Sequence, residues 1–197
     1  MRRLTKITII FTILTFALTS FTSNQDEPEI DFPTSVDSFI KKYSADFSVV
    51  SKTYNSESND FVLESKVINT WNKTVTLKRK KSFKNKYDQT VYQLLFLGFY
   101  QYDTEKQCSA ALDSLLNCFG TDCGKIEWGG GDNIKYFKTT PRVYLINEKT
   151  IITCKIYCEH TDDFWTTFKY DLIMTFGNGA SGIIEAGCGG PIYFRKF

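Results

Sequence analysis

The residues best able to do chemistry in this sequence are its six cysteines, Cys108, Cys118, Cys123, Cys154, Cys158 and Cys188, and its one histidine, His160. An even number of cysteines favours disulfides in an oxidising compartment, whereas thiol and metal chemistry need tighter spacings. Cys118-x4-Cys123 and Cys154-x3-Cys158 are not the Cys-x-x-Cys of thiol oxidoreductases. Zinc would have to take Cys154, Cys158 and His160 from one face of a strand and find a distant fourth ligand. All six are therefore read as disulfide cysteines, with no metal and no cofactor. Two pairings fail on geometry, because bonded Cα atoms lie within about 7 Å. Cys154 and Cys158 on a strand stand about 13 Å apart, and Cys108 and Cys118 on a helix about 15 Å. Cys118 with Cys123, across Gly120, is the most local pair.

Acid–base chemistry has one other source. Glu127 and Glu185 each follow an apolar residue near a glycine, and paired carboxylates can hydrolyse glycosides at a suitable separation. Trp128 beside Glu127 could then stack on a sugar. A nucleophilic serine is not presented, since Gly179-Ala180-Ser181-Gly182 lacks the Gly-x-Ser-x-Gly turn. The glycine clusters at Gly129–Gly131, Gly177–Gly179 and Gly187–Gly190 lack phosphate-loop spacing and read as turns.

Charge gives the sharpest binding signal. No acidic residue occurs from Ser65 to Tyr87, a stretch carrying Lys66, Lys73, Lys78, Arg79, Lys80, Lys81, Lys84 and Lys86. Lys78, Arg79, Lys80 and Lys81, with Trp71 and Phe83 as flanking aromatics, form the expected ligand-binding set. The partner classes this stripe fits are an anionic glycan, a lipid head group or an acidic protein. The competing reading is a solvated hairpin whose lysines keep a sheet edge from aggregating. Asn72-Lys73-Thr74 is also an N-glycosylation sequon in a suitable host.

These side chains need elements to hold them. Val36, Phe39, Ile40 and Tyr43 lie on one helical face after a cap at Thr34 or Ser35, and strands are expected over Phe47–Tyr54, Phe61–Trp71 and Thr74–Phe83. Val91–Tyr102 is apolar on both faces, as a central strand requires. Thr104 and Gln107 form a capping box for a helix with Cys108, Ala111, Leu112, Leu115, Leu116 and Phe119 as its stripe, and a strand follows at Lys125–Trp128. The order recurs: a strand over Thr150–Glu159, a helix capped at Thr161 with Phe164, Trp165, Phe168, Leu172 and Phe176, then Gly182–Ala186. Superposing the two units aligns Tyr100 with Tyr157, Thr104 with Thr161, Leu115 with Leu172 and Glu127 with Glu185. Arg142–Ile146 makes a hairpin with the strand from Thr150, and Ile192–Phe194 closes the chain. The economical fold is α+β, a ferredoxin-like βαββαβ sandwich from a possible tandem βαβ repeat, with additional N-terminal antiparallel strands and both helices on one face. Leu97-Gly98-Phe99 and the helix from Thr104 faintly resemble the opening of a SPOR-type peptidoglycan-binding repeat; the cysteines and the aromatic second helix depart from it.

Composition agrees with a globular chain: 42% hydrophobic and 23% charged residues exclude a disordered, collagenous or coiled-coil protein. Arg2, Arg3 and Lys6 precede an uncharged run from Ile7 to Phe21, the pattern of a cleavable secretory signal. Its removal takes three of the 24 cationic residues and leaves the chain one unit negative, so overall charge gives no case for nucleic acid. The expected organisation is a signal peptide over 1–23, a linker over 24–33, a helix and β-strand region over 34–90 and a disulfide-containing α+β domain over 91–197. The expected function is binding in a secreted or periplasmic setting, by a protein not integral to the membrane. The alternatives are an extracytoplasmic hydrolase using Glu127 and Glu185, and an inhibitor presenting the loop from Cys118 to Cys123.

Overall fold

Apolar spacing builds the first element. Phe32, Val36, Phe39 and Ile40, with Tyr43 just beyond, recur at three- and four-residue steps and give α1 (Phe32–Lys42) one apolar stripe. The helix starts before the expected cap because Pro33 is tolerated in a first turn, where its missing N–H is not needed. The computed structural model describes residues 31–51, 70–120, 123–127 and 138–196. The signal peptide, most of the linker, nearly all of the Phe61–Trp71 strand, Trp128 and the Gly129–Gly131 cluster lie outside the described residues.

The strands are β1 (Phe47–Ser51), β2 (Trp71–Arg79), β3 (Phe83–Lys84), β4 (Thr90–Val91), β5 (Leu94–Gln101), β6 (Arg142–Ile146), β7 (Thr150–Ile156), β8 (Gly182–Ala186) and β9 (Ile192–Lys196). Seven of them form one sheet in the order β1-β2-β5-β7-β6-β8-β9, antiparallel at every step, while β3 and β4 pair only with each other. Two further helices, α2 (Glu105–Asn117) and α3 (Asp163–Phe176), cross between strands. No helix among the described residues is long and apolar enough to cross a membrane.

Strand alternation sends side chains to two cores. Leu95, Leu97 and Phe99 of β5, Val143 and Leu145 of β6, and Ile152, Cys154 and Ile156 of β7 meet α1 and α3 on one face. Tyr100, Tyr144, Ile146, Ile151 and Ile184 meet α2 on the other. Tyr100 folds back over Gly98, where an added Cβ would stand 2.8 Å from the ring, so β5 needs glycine there.

The mixed α+β class therefore holds, but the ferredoxin-like order does not. A ferredoxin-like sheet brings its fourth strand back beside the first. Here the crossover from β5 through α2 to β6 and that from β7 through α3 to β8 both step toward the β9 edge. β5 and β7 run in opposite directions. Right-handed crossovers that step the same way from opposed strands must lie on opposite faces. The expectation of both helices on one face fails for that reason, and α1 takes the place beside α3.

The tandem repeat fails at its return strand. Lys125–Trp128 does not form a strand over its described part; a single bridge joins Phe119 to Gly124, and the strand that returns after α2 is β6. The Thr104–Gln107 capping box is present. The second cap is Asp162 rather than Thr161, with its carboxylate accepting from the Trp165 amide. The N-terminal strands β1 and β2 extend the same sheet through β2–β5 pairing.

Candidate anion-binding hairpin

Because β2 and β5 are antiparallel neighbours, residues 80–93 are the arm joining them. Its root is built from buried and half-buried polar contacts. Val75, Leu77 and Arg79 share one face of β2, so the arginine points toward the core layer rather than to solvent. Its guanidinium lies 5.1 Å from the Phe164 ring centroid and 5.7 Å from that of Phe83, and donates to Asp162 Oδ2 at 2.9 Å. Asp162 Oδ1 accepts from Gln93 Nε2, which also donates to the His160 carbonyl. The Leu94 N–H donates to His160 Nδ1 at 3.3 Å. One aspartate thus caps α3, pairs Arg79 and orients Gln93.

The tip is a second built structure. Asn85 is 6% exposed, and its Oδ1 accepts from the Tyr87 and Gln89 amides while its Nδ2 donates to Gln89 Oε1. Backbone bonds from Asn85 to Gln89 and from Asp88 to Asn85 close the turn, with Asp88 at a φ of 59°. The latch holds Tyr87 at the apex, 64% exposed, with Lys86 Nζ 5.0 Å from its ring centroid. Lys84 pairs with Asp88 at 3.4 Å and donates to its carbonyl. Lys78 lies 4.8 Å over the ring of Tyr92, itself 46% exposed.

This separates the nominated binding residues. Lys78 and Lys81 remain accessible at the arm. Arg79 and Phe83 form its root, and Lys80 donates to the Ser44 carbonyl. Trp71 is at the other end of β2, 5.6 Å edge-to-face from Phe32. Sequence reasoning passed over Asn85, Tyr87 and Tyr92. The run Asn85-Lys86-Tyr87-Asp88-Gln89, between apolar Phe83 and Val91, carried the turn signal that could have found them.

The two glutamates have different surroundings. Glu185, 12% exposed, is held by Lys169 of α3 at 2.5 Å and Arg195 at 3.3 Å. Glu127 is exposed and follows Ile126, which packs in the opposite layer with α2.

Cys118–Cys123 and Cys158–Cys188 are disulfides, with Cα separations of 4.0 and 5.4 Å. The expected third bridge does not form. Cys108 lies in the α2 core and Cys154 in the α1/α3 core, so the sheet stands between two buried thiols. Burial, with a smaller push from Glu105, raises the Cys108 thiol to about 12. β7 ends at Ile156, and Cys158 turns away to bond Cys188, which breaks up the Cys154, Cys158, His160 face. His160 is 9% exposed rather than a surface residue, and burial pulls its imidazole below the ordinary value against an opposing effect of Glu159.

No family model, no curated protein and no solved structure matches this chain.

Proposed function

We propose that the chain is an exported, disulfide-stabilised binding domain whose basic arm meets an anionic partner. The observation that carries this reading is the Asn85 latch. A buried asparagine making three side-chain hydrogen bonds orders a turn that exposes Lys86 and Tyr87, with Asp88 paired to Lys84. The N-terminal leader pattern and two disulfides support an oxidising compartment.

The binding set differs from the sequence expectation. Lys78, Lys81, Lys84 and Lys86 present charge, while Arg79, Lys80 and Phe83 hold the arm on the domain. Lysine ammonium groups act as point charges on flexible stems and suit anions without demanding a fixed fork geometry. Glu185 is already engaged by Lys169 and Arg195, and Glu127 follows a residue packed in the α2 layer, so the geometry favours binding over the hydrolase alternative.

Affinity for a model polyanion such as dextran sulfate should fall steeply with salt, as bound counterions are released. Replacing Lys78, Lys81, Lys84 and Lys86 by Gln should abolish most of that binding with the denaturation midpoint unchanged. Equal affinity in the quadruple variant would overturn the reading.

A further inference from the structure

Among anionic partners, we infer that the arm fits the head-group layer of an anionic lipid membrane, with Tyr87 entering at its apex; this rests on the reading that the arm binds an anionic partner. Shape is the first argument. Small ligands are gripped in concave sites, whereas this feature is convex. Lys80–Ser82 and Lys86–Thr90 are exposed along the arm on both limbs of the hairpin. A convex tip meets an extended surface without needing walls.

The ring faces supply the second argument. A sugar or a nucleobase binds an aromatic by lying on its face. At Tyr92 and Tyr87 one face already carries the ammonium group of Lys78 or Lys86, at 4.8 and 5.0 Å. A stacking ligand is left with the opposite face of each ring, beside a cation that already neutralises part of the ring's attraction. A lipid phosphate needs only the cations, while the ring edge and hydroxyl suit the boundary between head groups and acyl chains, where tyrosine is enriched.

Charge supplies the third. Lys84 and Lys86 flank the apex and Lys81 lies further back on the arm, all three exposed, and their long stems can keep ammonium groups at phosphate level while Tyr87 goes deeper. Asp88 is the acidic residue of the tip and is paired with Lys84, so the apex keeps a positive balance. An exposed tyrosine alone would mean little; this one is held out by a buried latch.

The test uses the protein as exported, with wild type and variants sharing one N-terminus. Co-sedimentation is measured with vesicles of phosphatidylcholine alone and of phosphatidylcholine mixed with phosphatidylglycerol, beside heparin and oligo(dT) binding. Wild type should bind only the anionic vesicles. Lys81→Gln/Lys84→Gln/Lys86→Gln should weaken that by roughly 100-fold, about fivefold for each lysine near an anionic surface. Tyr87→Ser should weaken it several-fold with the three lysines intact. All these side chains are exposed, and an unchanged denaturation midpoint separates lost binding from lost fold. Heparin or oligo(dT) binding without vesicle binding overturns the membrane inference and leaves the anionic-partner reading standing. Failure on every anion overturns both. Vesicle binding insensitive to Tyr87→Ser overturns insertion of the apex.

Discussion

His160 shows how one residue can tie the arm to the domain and make that tie depend on pH. Its Nδ1 accepts from the Leu94 amide, its carbonyl accepts from Gln93, and its ring packs edge-on against Tyr157 at 5.2 Å. A proton added at Nδ1 would face the Leu94 N–H, so the folded state resists protonation beyond the effect of burial. The imidazole is lowered from 6.5 in the fold. Above that value both folded and unfolded chains hold a neutral imidazole, and the contribution of His160 is complete. As pH falls through 6.5 the unfolded chain takes up a proton that the folded one refuses, and stability declines until the folded value is reached. The slope from this one group is at most about 1.4 kcal/mol per pH unit. Urea denaturation between pH 7.5 and 5.5 should show that decline, and His160→Gln should flatten it. With one histidine in the chain, a single imidazole NMR titration checks the cause directly; a midpoint at or above 6.5 would refute it. Arg79 carries the matching lesson about neighbouring residues. Lys78-Arg79-Lys80-Lys81 reads as one basic patch, yet alternation from Val75 and Leu77 already placed position 79 on the core side, where a planar guanidinium can lie between Phe83 and Phe164.

At the scale of elements, the arm is two short strands that stand outside the main sheet and must be held by local contacts. A two-stranded hairpin is marginal on its own in water, which makes the Asn85 latch decisive for it and nearly irrelevant to the core. Asn85→Ala should therefore cost the arm about 1–3 kcal/mol, the range for leaving buried partners unsatisfied. Amide exchange at Tyr87 and Gln89 should accelerate by one to two orders of magnitude while amides of β5 and β7 keep their protection; uniform loss of protection would show that the latch serves the whole domain. Local signals of this kind were largely readable beforehand. The Thr104–Gln107 cap, the stripe of α2, the doubly apolar β5 and the Cys118–Cys123 pair all depend on residues near one another in sequence, where spacing has geometric meaning. The fold order was not readable. Handedness determines which face a crossover takes once its direction is known, but nothing near α3 reveals that β8 pairs outside β6 rather than beside β5. The Glu127–Glu185 match failed similarly, because a shared cap and glycine pattern reports helix ends and not the strand beyond them.

The described residues form two cores on either side of the seven-stranded sheet, and the two disulfides staple unequal spans. Cys158–Cys188 closes a 30-residue separation that contains α3 and β8, whereas Cys118–Cys123 closes one of 5 residues at the end of α2. If a crosslink acts chiefly by limiting the unfolded chain, the longer loop contributes about 3–4 kcal/mol and the shorter about 2. Removing Cys158 and Cys188 together as alanines should thus lower the denaturation midpoint clearly more than removing Cys118 and Cys123. The longer staple also fastens Cys158–His160, to which Gln93 of the arm and Leu94 at the start of β5 hydrogen bond, to the turn before β9. Its loss should therefore speed exchange at the arm's root, an effect the shorter staple lacks. The two remaining thiols supply the control. Cys108 and Cys154 are buried in separate cores, out of a reagent's reach, and Cys108, raised to about 12, holds almost no thiolate at neutral pH. The native, non-reduced protein should take up no alkylating reagent and the denatured, non-reduced protein two equivalents. Zero in denaturant would require a third bridge, and pairing Cys108 with Cys154 would mean that the sheet between them is not where the present strand order puts it.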